Sequence, residues 1–176
     1  MATIKLFKGK NFQADGRMPM TVTSAIGDLK NYGFNDLANS CEVQEGYWLL
    51  YSDANFQGKS VLLGPHNYPD FSKISMNGLS SLRPLPDVDG PTLRLFSDSE
   101  FRARMVVFTE EFQNFEWIGF NDETSSALVL NGSWDLFPKA NYEGRPWSID
   151  TDGDKIGIYK NPTHFGNNQV SSVRPA

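Results

Sequence analysis

Short apolar runs, not long periodic ones, dominate this chain. Ile4-Lys5-Leu6 alternates with a period of two, and Trp48-Leu49-Leu50, Leu93-Arg94-Leu95 and Trp134-Asp135-Leu136 are equally brief. Runs of this length suit strands, because an amphipathic helix repeats its apolar residues at three- and four-residue spacing over roughly ten or more positions. Glycines and prolines recur between the runs, which predicts many turns and an all-β chain. Residues 28–32 and 110–115 read as helical turns, and both fall inside expected loops.

The runs belong to a repeat. An aromatic residue, four residues, a second aromatic, one residue and then Gly or Ala follow each run. The copies begin at Phe7, Tyr51, Phe96 and Phe137, with second aromatics Phe12, Phe56, Phe101 and Tyr142. This spacing predicts a folded hairpin that brings the two rings together. Gly58 and Gly144 suit a tight position with φ above zero, which Ala14 and Ala103 suit less well.

A polar loop closes each repeat: Asn35-Asp36-Leu37-Ala38-Asn39-Ser40, Met76-Asn77-Gly78-Leu79-Ser80-Ser81, Asn121-Asp122-Glu123-Thr124-Ser125-Ser126 and Asn167-Asn168-Gln169-Val170-Ser171-Ser172. Repeats one and three resemble each other, as do two and four, so a pair has been duplicated. Pro84, Pro86, Gly90 and Pro91 lie between the pairs and predict a short, stiff linker. Paired units without crossover helices suggest two Greek keys per domain, packed as a sandwich. Trp48, Phe56 and Leu62 are expected in one core, and Trp134, Tyr142 and Ile149 in the other.

Charge and chemistry narrow the function. The net charge of −5 argues against nucleic-acid binding, which draws on a basic patch. Cys41 is the only cysteine, so no disulfide within the chain and no thiolate cluster can form; a small buried hydrophobe is the expected role. His66 and His164 have no zinc-type partner nearby in sequence, and neither a nucleophile elbow nor a phosphate loop occurs. The chain is therefore expected not to be an enzyme. Asp150-Thr151-Asp152-Gly153-Asp154 resembles the start of an EF-hand loop, but Lys155 and Asn161 replace its Gly and Glu, so a hairpin turn is expected there. The amino-terminal residues lack the apolar stretch of a secretory signal, which leads to the expectation of a cytoplasmic protein.

Together, the aromatic-x4-aromatic-x-Gly hairpins and the Asn/Asp-Asn/Asp-x-x-Ser/Thr-Ser loops resemble those of the βγ-crystallins over essentially the whole chain. The resemblance implies an all-β protein of two βγ-crystallin-type Greek-key β-sandwich domains. These would span 1–86 (motifs about 2–43 and 46–85) and 91–176 (motifs about 92–130 and 132–176), with a linker at 87–90.

It also implies Ca2+ as the bound ion. In this family two loops of one domain form two sites by exchange. One loop gives a backbone carbonyl and the hydroxyl at position five; the other gives oxygens from positions two and three. A hairpin carbonyl near the first aromatic completes the protein ligands. Carried over, the third loop supplies Asn121, Asp122, Glu123 and Ser125, and the fourth supplies Asn167, Asn168, Gln169 and Ser171, with carbonyls near Ser97 and Pro138. The first domain offers Asn35, Asp36, Leu37 and Asn39, then Asn77, Gly78 and Ser80, with carbonyls near Lys8 and Ser52. It departs from the pattern where Asn39 replaces the hydroxyl and Met76 replaces the first Asn/Asp. There Asp36 with Ser80 would serve one site, and Asn77 with Asn39 the other.

Calcium is a hard cation that takes six to eight oxygens, and mostly neutral ligands imply modest affinity. The function expected is therefore a calcium-binding structural or stress-related protein, a monomer or weak homodimer without an obligate protein partner. Two alternatives stand beside it: a packing crystallin with vestigial sites, and a carbohydrate- or membrane-recognition module using Tyr68 or Phe71.

Overall fold

The structure, a computed structural model, describes residues 2–85, 90–153 and 155–176. The expected linker at 87–90 falls outside the described residues except for Gly90, and so does Asp154 of the acidic run. The chain divides into two compact units, Met1–Asp87 and Val88–Ala176.

The first unit contains β1 (Thr3–Phe7), β2 (Met20–Val22), β3 (Ser40–Glu45), β4 (Tyr47–Asp53), β5 (Gln57–Leu63), β6 (His66–Tyr68) and β7 (Ser81–Leu85). They form a four-stranded sheet in the order β2-β1-β3-β6 and a three-stranded sheet in the order β5-β4-β7. The second unit repeats the plan with β8 (Thr92–Phe96), β9 (Met105–Phe108), β10 (Ser126–Asn131), β11 (Ser133–Phe137), β12 (Trp147–Asp150), β13 (Gly157–Tyr159) and β14 (Ser172–Pro175). Its sheets run β9-β8-β10-β13 and β12-β11-β14. Every pairing is antiparallel, and no helix beyond short 3-10 turns appears among the described residues. The chain has no helix long and apolar enough to cross a membrane among those residues.

The motifs within each unit exchange pieces. β6, from the second motif, pairs with β3 of the first. In return Ile26 of the first motif bridges Leu82 of the second, with N–H···O distances of 2.8 and 3.0 Å. Phe112 and Val173 make the same exchange in the second unit. This trade brings the closing loops of the two motifs to one end of each sandwich.

Each core takes in alternate residues of the strands that line it, although β4 from Trp48 to Tyr51 and all of β8 are buried on both faces. In β1, Ile4 and Leu6 are fully buried while Lys5 between them is not, as a period of two requires. Trp48 and Trp134 are fully enclosed, and Ile149 is buried. Leu63 rather than Leu62 is the buried residue of β5, because Leu63 faces Trp48 across the ladder. Phe56 and Tyr142 are also only half-buried. Each lies edge-on over the first aromatic of its own hairpin, Tyr51 at 5.7 Å and Phe137 at 5.8 Å, outside the core clusters. Cys41 is wholly buried, and burial pushes its thiol up to about 12, so it is an inert core residue.

The hairpin tips hold backbone strain that spacing alone did not reveal. Asn11-Phe12, Asn55-Phe56, Glu100-Phe101 and Asn141-Tyr142 all have φ between 51° and 62°. Left-handed geometry costs a non-glycine residue about 1–2 kcal/mol. Ala103 also adopts it at +61°, whereas at the first tip the left-handed turn moves on to Asp15 and Gly16. The helical turn expected at 110–115 instead spans Phe115–Ile118, capped by the Asn114 side chain, since Phe112 is engaged in the exchange bridge.

Candidate functional site

The last serine of each polar loop holds a strained tip closed. Ser40, Ser81, Ser126 and Ser172 are fully buried, and their hydroxyls accept from the N–H of Phe12, Phe56, Phe101 and Tyr142 at 3.0–3.1 Å. The same hydroxyls donate to the carbonyls of Gly9, Asp53, Asp98 and Lys139 at 2.6–2.7 Å. The sequence pattern treated this serine as part of an ion-binding signature. Its role is structural, and the only signal for it is that it is present in all four copies.

The segment leading into each loop is equally regular. A side chain caps a short 3-10 turn: Asp28, Asp70, Asn114 or Asn161 accepts from the N–H two residues on. In the first three repeats the turn ends on a left-handed residue, Gly33, Ser75 or Gly119. A buried side chain then drops into the core: Phe34, Met76 or Phe120, whose N–H bonds back to Leu29, Phe71 or Phe115.

This alignment reassigns Met76. It is the counterpart of Phe34 and Phe120, not of Asn35 and Asn121. Six positions separate Phe34 from Ser40 and Phe120 from Ser126, but five separate Met76 from Ser81. The second loop is one residue short. The left-handed position taken by Asp36 (φ 56°), Asp122 (55°) and Asn168 (53°) in the other loops falls there on Gly78 (80°), which has no side-chain oxygen.

In the second unit the two loops converge. Asp122 N–H bonds to Val170 O at 3.3 Å and Asn168 N–H to Thr124 O at 3.0 Å, a reciprocal exchange. Ser125 and Ser171 at position five send their N–H groups to the first aromatics of their hairpins, Phe96 and Phe137. The side chains then face the opposite loop. Ser125 Oγ lies 3.0 Å from Asn167 Oδ1 and 3.1 Å from Asn168 Oδ1. Ser171 Oγ lies 3.2 Å from Pro138 O. Asp122 is steadied by Asn121, whose amide donates to its Oδ2 at 2.8 Å. Ser97 accepts from Arg104 N–H through its hydroxyl at 3.1 Å. Glu123 turns its carboxylate toward Arg104 at 3.8 Å, and Gln169 curls back over Gly166. Neither of these side chains joins the oxygen cluster.

The first unit matches this on one side. Ser80 Oγ lies 3.3 Å from Asp36 Oδ1, Ser80 N–H bonds to Tyr51 O, and Asn35 supports Asp36 at 2.6 Å. Ser52 stands in the adjoining hairpin, its hydroxyl accepting from Lys59 N–H. The other side differs. Asn39 donates its amide NH2 to Lys8 O at 2.7 Å and to Leu37 O at 3.2 Å. Two carbonyl acceptors fix the orientation of that amide, so an N–H group stands where a cation would need an oxygen. Asp36 N–H reaches Leu79 O, but no reciprocal bond returns from Asn77 or Gly78 among the described residues.

The donor sets suit a hard cation. Neighbouring oxygens on one calcium ion lie roughly 3 Å apart, given metal distances of about 2.3–2.6 Å, and Ser125 Oγ has that spacing from the amide oxygens of Asn167 and Asn168. No three His, Cys, Asp or Glu side chains gather into a metal-holding group among the described residues. His66 and His164 are exposed and lie edge-on to Tyr68 and Tyr159. Phe71 is core and Tyr68 is half-buried, so the residues suggested for carbohydrate or membrane contact are not free surface aromatics.

The comparison with protein families decides the identity: the Beta/Gamma crystallin model matches residues 3–85 and again 92–176. The chain belongs to the βγ-crystallin family. Gamma-crystallin F of Bos taurus is 32% identical over 142 residues, covering 78% of this chain and 79% of that protein. The epidermal differentiation-specific protein of Cynops pyrrhogaster is 33% identical over 138 residues, covering 77% of this chain and 39% of that protein. Among solved structures, the βγ-crystallin geodin from Geodia cydonium superposes with a TM-score of 0.74 at 19% identity, over 99% of both chains, which supports the shared fold. The gamma-crystallins among these relatives belong to a family of structural proteins.

Proposed function

We propose that this βγ-crystallin is a non-enzymatic structural protein that binds calcium at three sites: two in the second domain and one in the first. The carrying observation is the meeting of Ser125 Oγ with Asn167 Oδ1 and Asn168 Oδ1 at 3.0 and 3.1 Å, across two loops that already exchange backbone bonds. The second site uses Ser171, the Pro138 carbonyl and Asp122 of the facing loop. The third uses Ser80, Asp36 and the hairpin carbonyl near Ser52. The fourth position, around Asn39, Lys8 and Asn77, is vestigial, because the Asn39 amide fills it.

Each ion would tie together two loops that the unfolded chain holds apart. Binding only to the folded state stabilises it by about 2.7 kcal/mol at a hundredfold excess over Kd. Isothermal titration of the whole chain should give three ions. Ser125→Arg and Ser171→Arg together should leave one, because each puts a cation where the ion would sit. A heat-free titration, or one unchanged by both substitutions, would overturn the proposal.

A further inference from the structure

We propose that Asn77 is a site of spontaneous deamidation, by which the first domain acquires a carboxylate in the loop that crosses Asp36. Asn77 is followed by Gly78, and asparagine is among the thermolabile residues. In the reaction the Gly78 amide nitrogen, losing its proton, attacks the carbonyl carbon of the Asn77 side chain. The new C–N bond closes a five-membered succinimide, and ammonia leaves with the former amide nitrogen. Water then opens the ring at either carbonyl, giving aspartate or isoaspartate. Water is the only co-reactant and no electrons change hands.

Three features favour the reaction at this position. Asn77 is exposed and lies in neither strand nor turn helix. Neither its side-chain amide nor the Gly78 N–H makes a hydrogen bond among the described residues, so neither reactant is restrained. Gly78 is also required by the fold. Its φ is +80°, and a Cβ there would fall 2.7 Å from Asp36 Oδ1, because the shortened loop crosses close to its neighbour. The glycine that permits this crossing is also the residue that offers least steric hindrance to ring closure.

The chain contains its own control. Asn131-Gly132 is the other Asn-Gly pair, but Asn131 ends β10 paired with Thr92 just past a register shift, and the ladder restrains its backbone as an extended strand. In the first loop, Asn35 is tied to Asp36 at 2.6 Å and is followed by a residue with a side chain.

The test is to hold the full-length protein in warm, mildly alkaline buffer with chelator, and to follow deamidation by peptide mapping with fragmentation that distinguishes isoaspartate. Asn77 should convert before Asn131, producing a species one charge more negative than the parent at −5. That species should not form in Asn77→Gln, whose ring would need a sixth member. Conversion of Asn131 or another asparagine while Asn77 persists overturns the proposal. A parallel incubation in calcium addresses the ion-binding reading, on which the value of the added carboxylate rests. Slower conversion of Asn77 supports a cation ordering that pair of loops. An equal rate removes the cation from them and leaves the deamidation standing.

Discussion

The loop pair of the first domain and that of the second start from the same plan and end with different chemistry. Both have the last serine bound to the hairpin tip, the 3-10 turn and the buried anchor residue, with nearly identical distances. Apart from the last repeat, whose 3-10 turn ends on an extended residue, they part where a cation would be held. One deleted residue puts Gly78 in place of an oxygen-bearing side chain, and Asn39 presents N–H groups in place of a hydroxyl. The difference teaches that the serine at position six serves the fold, and that the hydroxyl at position five can be lost without disturbing it.

The strongest test of that separation is to delete the structural serine in each domain. Ser81→Ala and Ser126→Ala each remove two hydrogen bonds and leave a tip N–H without a partner, at a cost of about 2–3 kcal/mol. Urea unfolding followed domain by domain with hydrogen exchange should show similar losses in both, although the ion chemistry differs. A loss in the second domain alone would break the division of labour.

A smaller effect of opposite sign is expected at position four. Thr124 is completely buried and its hydroxyl has no partner among the described residues, whereas its counterpart Ala38 has no polar atom to satisfy. Thr124→Val keeps the shape and removes the unsatisfied group, so the second domain should gain about 1 kcal/mol. Thermal melting without calcium reads this directly, and a destabilised variant would mean that the hydroxyl is used.

The smallest effect concerns acid. The first domain caps its 3-10 turns with Asp28 and Asp70, and the second with Asn114 and Asn161. The Ser72 hydroxyl, with Lys10 beside it, holds the Asp70 carboxyl down from 3.8 to about 2. Because the folded value lies below the unfolded one, the stabilisation is present above the unfolded value and is lost as the pH falls from about 3.8 toward 2. Hydrogen exchange of the turn around Phe71 should accelerate across that window in the parent and much less in Asp70→Asn. The turns capped by Asn114 and Asn161 should show no such dependence on their caps.

Much of the architecture was legible in advance, because strands and hairpins leave short-range marks. The aromatic pairs Phe7–Phe12 and Phe96–Phe101 could be expected from spacing alone, and they stand 5.6 and 5.5 Å apart. Burial of a particular side chain was less legible. Leu62 and Leu63 are both apolar neighbours, and only the ladder register decides which faces Trp48. The site was half legible. Ser125, Asn167 and Asn168 stand out by type, but the missing residue of the second loop does not, because Met76-Asn77 still fills six letters of the pattern. Its detection needed the buried anchor and the hydrogen bond from Met76 N–H to Phe71 O, both of which are three-dimensional facts.

The traded pieces between neighbouring motifs also bear on how such a protein can be cut or copied. A fragment ending after Glu45 would lack the strand that covers the margin of β3, and its Ile26 would have no host. It would present an unpaired, sticky rim and half an interior, which invites self-association rather than solubility. The smallest portable module is therefore the pair, so growth of the lineage by doubling pairs, as the similarity between alternate repeats records, keeps every intermediate length foldable.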